Sequence, residues 1–271
     1  MRRMPAVAGM FYESQGEALS QQVSACVADV PLEEQGSLEA VGVVTPHAGY
    51  LYSGAVAGAV FARVRVPERV VLLGPNHTGL GQAASLMASG IWAMPGGDVP
   101  VDEDLARRIL DRVPWVREDH WAHLQEHSLE VQIPFLQRFQ PRLRITPLVL
   151  MGVRYPLCQA LGQALASCIR DVQEPVLIVA SSDMTHYEPQ SQAQTKDRMA
   201  IQRILELDPE GLYRVVHEER ISMCGYLPAV VMVVAAKALG AREARLIRYA
   251  TSGDVTGDVS SVVGYAGIAV L

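Results

Sequence analysis

The sequence predicts an α/β fold: a single-domain sandwich in which a largely parallel or mixed central sheet is flanked by helices. Short β-branched runs such as VVLLG and VLIVA are continuously apolar rather than alternating, as strands covered on both faces are. Helical patterns fall between these runs, and alternation of the two along a chain is the mark of α/β layers. No internal repeat, low-complexity tract or Ser/Gly linker divides the 271 residues, so one domain over 1–271 is the simplest organisation.

The elements follow in order. A strand is expected over 41–45, then an Ala-rich helix over 53–65 with Phe61 on its apolar face. Strands at 69–73 and 84–88 precede a helix at 102–113, whose acidic opening suits a helix N-terminus. A helix over 129–139 runs past Pro134, which must kink it or lie in its first turn. Strands at 143–150 and 176–181 enclose a helix at 156–171. Helices at 192–207, 209–218 and 226–239 lead to closing strands at 244–250 and 262–270.

Composition excludes several classes. At 49% hydrophobic and 19% charged the chain is no disordered segment. A net charge of −6, with no basic run longer than two residues, argues against a nucleic-acid partner. The apolar stretch 227–236 is ten residues long, about half of the roughly 20 that a bilayer span needs. The apolar run after Arg2-Arg3 is too short for a signal peptide, so a cytoplasmic protein with reduced thiols is expected. Four Cys without a CxxC pair make neither a disulfide framework nor a zinc ribbon. The Gly-rich segment 251–258 is no GxGxxG or Walker loop, so no nucleotide cofactor is expected.

The seven His carry more information. His47, His77 and His186 each stand just past the carboxyl end of an expected buried strand, where open α/β sheets bind ligands. Pro and Gly beside His47 and His77 mark tight loops. Either each ring bonds only its own loop, or the three share a site. Cys224 precedes the helix at 226–239, where the macrodipole favours the thiolate that binds metals or attacks carbon. Cys26, Cys158 and Cys168 fall in amphipathic helical patterns and read as small buried hydrophobes. His123 and His127 have i, i+4 spacing but no HExxH pattern. Glu126-His127-Ser128 reads as a helix cap with Glu130 reaching back, which leaves His127 free to serve the site. His120, His123 and His217 are assigned to surface or packing.

An ordered set of segments then resembles the Memo family, whose bacterial and archaeal members are called AmmeMemoRadiSam system protein B. These segments are RMPAVAGMFY from Arg3, PHAGY from Pro46 with Ser53-Gly54, GPNH from Gly74 and EHSLE from Glu126. The set continues with Ser181-Ser182-Asp183, His186-Tyr187, Cys224-Gly225, Ser252-Gly253-Asp254 and Val263-Gly264-Tyr265. The resemblance implies a fold similar to class III extradiol dioxygenases, which hold non-haem iron with two His and a carboxylate. It also implies a pocket of two His and one Cys, which by motif position are His47, His77 and Cys224. Asp183 and His186 match the pocket-lining pair, and His127 the EHS motif. Iron or copper is the implied cofactor, with zinc compatible with the donors, and a radical-SAM protein is the implied functional partner.

Three readings follow. The first is a metal-dependent redox enzyme on a small molecule, with His186 or His127 as acid–base group because imidazole titrates near neutrality. Asp183 would orient that imidazole, and Tyr50, Asn76 and Tyr187 would contact the substrate. The second is a non-catalytic metal-handling or peptide-binding protein that keeps the pocket, since a metal-bound thiolate beside activated oxygen invites its own oxidation. In the third, Cys224 is a metal-free nucleophile activated by His186.

Overall fold

The computed structural model describes residues 1–271. Its first half runs β1 (Arg2–Arg3), α1 (Gly16–Val27), β2 (Gly42–Thr45), α2 (Tyr50–Arg63), β3 (Arg69–Pro75), β4 (Ala84–Leu86), β5 (Ile91–Trp92) and β6 (Val99–Pro100). It continues with α3 (Glu103–Arg112), β7 (Arg117–Glu118), α4 (Trp121–Leu124), α5 (Ile133–Phe139), β8 (Arg144–Leu150) and α6 (Tyr155–Val172). Then come β9 (Val176–Ser181), β10 (His186–Glu188), α7 (Gln190–Leu205), α8 (Pro209–Glu218), α9 (Tyr226–Leu239), β11 (Ala244–Thr251), α10 (Gly253–Thr256) and β12 (Val262–Val270).

The continuous apolar runs form the centre of a nine-stranded mixed sheet of order β10-β12-β2-β9-β3-β8-β4-β7, with β11 beside β12. β2, β9, β3 and β8 lie parallel to one another, while β12 is antiparallel to β2 and β4 antiparallel to β8. Period-two alternation sends successive residues to opposite faces. Val44, Val71 and Leu73 therefore join the core under α3, α6, α7, α8 and α9. Val43, Val70 and Leu72 join the other core, under α1, α2 and α5. α9 is buried from Leu227 to Ala236, as a helix apolar all round must be.

This is the α/β sandwich the apolar runs predict. Pro134 sits in the first turn of α5, so it starts that helix instead of kinking a longer one. The residues before it, Glu130–Gln132, form a separate 3-10 turn. Helix α1 lies outside the expected ranges. Its buried residues, Leu19, Val23 and Val27, recur every fourth position in a mostly polar segment, too narrow a stripe to stand out. The two-residue strands β1, β5 and β6 make a separate small sheet that holds the N-terminus. No helix is long and apolar enough to cross a membrane.

Because β2, β9 and β3 are parallel neighbours, the loops after them leave the sheet side by side. That adjacency, which no linear pattern reveals, brings the candidate residues together.

Candidate metal centre

His47 follows β2, His77 follows β3, and Cys224 precedes α9. One nitrogen of each imidazole and the Cys224 sulfur lie within 4.8 Å of one another. The His47 and His77 rings meet edge to face at 5.2 Å, and His47 Nε2 is 3.2 Å from Cys224 Sγ. His47 is buried, while His77 opens toward solvent. Tetrahedral zinc bonds of about 2.0–2.1 Å to nitrogen and 2.3 Å to sulfur set donors roughly 3.5 Å apart. Two imidazoles and a thiol at the observed spacing therefore fit one transition-metal ion after small side-chain movements. Three donors also leave a coordination position for water or substrate.

Each donor is held from behind. His77 donates its backbone N–H to Glu126 Oε2 and its Nδ1–H to Glu126 Oε1 at 2.9 Å, and Ser128 N donates to Oε1 as well. Burial pushes the Glu126 carboxyl up, but the hydrogen bonds and charge of His77 outweigh it and hold the group at about 2. Asp183 Oδ1 accepts from His47 N at 2.7 Å and so ties the loop after β2 to the loop after β9. Burial raises the Asp183 carboxyl to about 6. Burial, with the neighbouring His77, His127 and His186, keeps the His47 imidazole well below its usual range and hence neutral.

Cys224 departs from expectation. It does precede a helix, but burial first and the Asp183 charge second push its thiol far up rather than down. The N–H of Gly225, which caps α9, donates to Ser182 Oγ at 2.9 Å, and Cys224 Sγ accepts from Asp183 N at 3.3 Å. Desolvation exceeds the dipole here and favours the neutral thiol, whereas a bound cation would favour the thiolate. Gly225 permits this approach, because a Cβ there would stand 2.2 Å from the Ser181 carbonyl oxygen.

Other expected residues are placed differently. His186 Nδ1 lies 2.9 Å from the Ser222 carbonyl, and no bond joins it to Asp183, which serves His47 instead. The thiol's imidazole neighbour is His47, not His186, so the base expected to activate a metal-free nucleophile does not bond the sulfur. His127 stacks on His77 at 4.7 Å, with Phe11 edge-on at 4.9 Å. His127 and His123 do not share a helix face, because α4 ends at Leu124 and His123 is buried against Trp92. Glu130 caps nothing. It binds Arg3, the backbone N–H groups of Ala6 and Val7, and the Tyr12 hydroxyl.

Tyr50 and Asn76 direct their polar groups to partners within the protein. Tyr50 is buried against Phe135 and donates its hydroxyl to the Val131 carbonyl at 2.6 Å. The Asn76 amide closes its own loop, donating to Leu80 O and accepting from Thr78 N, Thr78 Oγ1 and Gly79 N. Tyr187 is 78% exposed beside His186. Glu126, Ser181 and Gln132 also hold this framework, outside the expected set of site residues. Glu126 had a signal in its place beside His127, whereas Gln132 had none.

The frame and its donors define an α/β protein with a histidine–cysteine cluster at the carboxyl edge of a parallel sheet. The profile of the family described as Memo-like protein matches residues 3–269. A MEMO1 family protein of Methanopyrus kandleri is 42% identical, over 99% of this chain and 98% of its own. One from Methanothermobacter thermautotrophicus is 43% identical over 98% and 99%. One from Aquifex aeolicus is 43% identical over 98% of each. The chain belongs to the Memo family. Its fold is similar to that of an uncharacterized protein, JW3007, from Escherichia coli K12, with a TM-score of 0.57 at 14% identity, over 84% of this chain and 98% of that one.

Proposed function

We propose that this protein binds one transition-metal ion through His47, His77 and Cys224 and uses it in redox chemistry on a small molecule. The convergence of three donors from three separate elements within 4.8 Å carries the reading. Two imidazoles suit iron, copper and zinc, and the thiolate shifts preference toward copper(I) and zinc. A bound ion would supply Lewis acidity and an open position for an exogenous ligand. The protein's own part is to hold and move protons beside it. The Ser222 carbonyl can only accept, so His186 Nδ1 carries the hydrogen and Nε2 keeps a lone pair that can take a proton from substrate. His127, against His77, is the second group able to do so.

Anaerobic titration with iron(II) and with copper(I), followed by metal analysis of wild type and His47→Ala, tests the site. One ion per chain in wild type and loss in the variant are expected; equal retention removes the reading. A cysteine where an oxygen-handling site would favour a carboxylate supports a second reading, a metal-handling or peptide-binding protein without turnover. Oxygen uptake that requires both metal and an oxidisable substrate decides against it.

A further inference from the structure

A histidine ligates through one nitrogen only if the proton sits on the other, so what holds the far nitrogen decides whether the near one is available. For His47 the far nitrogen is Nδ1, 2.8 Å from Ser181 Oγ. Ser181 Oγ has two more neighbours, the Ser128 carbonyl at 2.6 Å and Gln132 Nε2 at 2.8 Å. A hydroxyl donates once and accepts twice, so the three contacts can be assigned completely.

The Ser128 carbonyl cannot donate, so the single Ser181 hydroxyl proton goes to it. The Gln132 amide is oriented by its other contacts. Its Nε2 lies 2.8 Å from the Pro46 carbonyl, which can only accept, and its Oε1 accepts from Thr45 Oγ1 at 2.9 Å. One amide hydrogen thus goes to Pro46 and the other to Ser181. Ser181 Oγ has then donated once and accepted once, and toward His47 it can only accept. All four polar side chains of this relay, Thr45, His47, Gln132 and Ser181, are buried, so water offers no alternative arrangement.

We propose that Ser181, with its proton committed to Ser128 and its orientation set by Gln132, fixes His47 as the Nδ1–H tautomer and keeps Nε2 bare toward Cys224. Ser181 is a positioning residue. The inference deepens the reading of His47 as a metal ligand and rests on it for its function, although the tautomer itself needs no metal. His77 is treated in parallel, its Nδ1–H ending on the Glu126 carboxylate. Both ligand rings are therefore oriented from one segment, residues 126–132: one directly by Glu126, the other through Ser181 by Ser128 and Gln132. The Ser128 hydroxyl fastens that segment to the end of β3 by donating to the Pro75 carbonyl at 3.0 Å.

The test is long-range nitrogen-15 NMR of the metal-free protein, which distinguishes a protonated from a bare ring nitrogen. Wild-type His47 is expected to show protonated Nδ1 and bare Nε2; the reverse pattern overturns the proposal with no variant needed. Ser181→Ala is expected to shift the proton to Nε2 in a substantial fraction of molecules, and Ser181→Thr, which keeps the hydroxyl, to restore the wild-type pattern. A Ser181→Ala protein that folds and keeps pure Nδ1–H also overturns it. Titration with cobalt(II) then reads the consequence. Ser181→Ala should weaken cobalt binding by about 10–100-fold, as loss of such partners does elsewhere, while keeping the sulfur-to-cobalt absorption that Cys224→Ser abolishes. Cobalt affinity unchanged in Ser181→Ala overturns the positioning role. Failure of the wild type to take up cobalt through Cys224 overturns the metal reading instead, and the nitrogen spectrum still decides the tautomer.

Discussion

Two regions of this protein bury an imidazole almost completely, and they use it in opposite ways. His123 packs edge-on to Trp92 and donates from Nε2 to the Ser85 carbonyl at 3.1 Å. Arg3 lies over the same indole at 3.9 Å and donates to the carbonyls of His123 and Glu126, and it pairs with the buried Glu130 at 2.7 Å. That region is closed: a cation, an anion and two aromatic systems answer one another. Around His47, by contrast, Nε2 faces a thiol and a second imidazole. A bare ring nitrogen alone does not make the difference, since His123 Nδ1 also lacks a partner. What distinguishes the His47 site is that other side chains able to ligate a metal share it, and none groups with His123.

The contrast predicts that the closed region carries stability and the pocket carries affinity. Glu130→Gln keeps the shape of the side chain but leaves Arg3 as an uncompensated buried cation. Breaking a buried pair from one side costs about 3–5 kcal/mol, and urea denaturation should show a loss of that size. A change under about 1 kcal/mol would mean that the surrounding carbonyls alone satisfy Arg3. In the pocket, His77→Asn, whose amide can still donate to Glu126 from the place of Nδ1, should lower metal affinity by at least about 100-fold, or roughly 2.7 kcal/mol, with stability altered by less than about 1 kcal/mol. Equal losses in both properties would merge the two regions into one structural unit.

How much of this contrast is legible in the sequence follows from the same physics. The central strands are readable because burial on both faces demands unbroken apolar runs, as in Val176–Ser181. His47, His77 and Cys224 are readable because turn residues and family motifs mark strand ends and a helix start. Their partners are not. Ser181 meets Gln132 only because β9 lies beside β2 and the 3-10 turn at Glu130–Gln132 folds over both, and strand order has no linear signature. Asp183 reads in the sequence as a partner of the acid–base imidazole three residues on, whereas the adjacency of β2 and β9 gives it to the His47 backbone. The Cys224 thiol differs from its sequence expectation because helix position is visible in a sequence and desolvation is not.

Acid reads the closed region through His123. Burial, then the nearby Arg3 charge, lowers His123 from 6.5 to about 3. Below pH 6.5 the unfolded chain therefore binds a proton that the folded chain refuses. Stability from this group is complete above pH 6.5, falls as pH drops toward 3, and is constant below that. At about 1.4 kcal/mol per pH unit, acidification from 6.5 to 5 should cost about 2 kcal/mol. His123→Gln, which can still donate to Ser85, should remove that part of the slope. An unchanged slope in denaturation curves between these pH values would show that His123 is not the group being protonated.

The smallest effect concerns strain, which falls on the pocket side. Tyr187 has φ of 59°, a left-handed conformation that costs a non-glycine residue roughly 1–2 kcal/mol. It sits at the irregularity in the pairing of β10 with β12, between the His186–Val263 and Glu188–Val262 pairs. An extra residue at such a point re-aims its neighbours. Here the neighbour is His186, whose backbone N–H and ring are then both held by Ser222. Tyr187→Gly relieves the strain but loosens the unfolded chain by about 0.4–1 kcal/mol, and the exposed ring gives up little packing. A net gain of under about 1 kcal/mol is therefore expected, with metal affinity unchanged because no metal donor moves. A loss greater than 1 kcal/mol would show that the ring braces the His186 loop, and strain at this rim would then be supported by packing as the His123 region is.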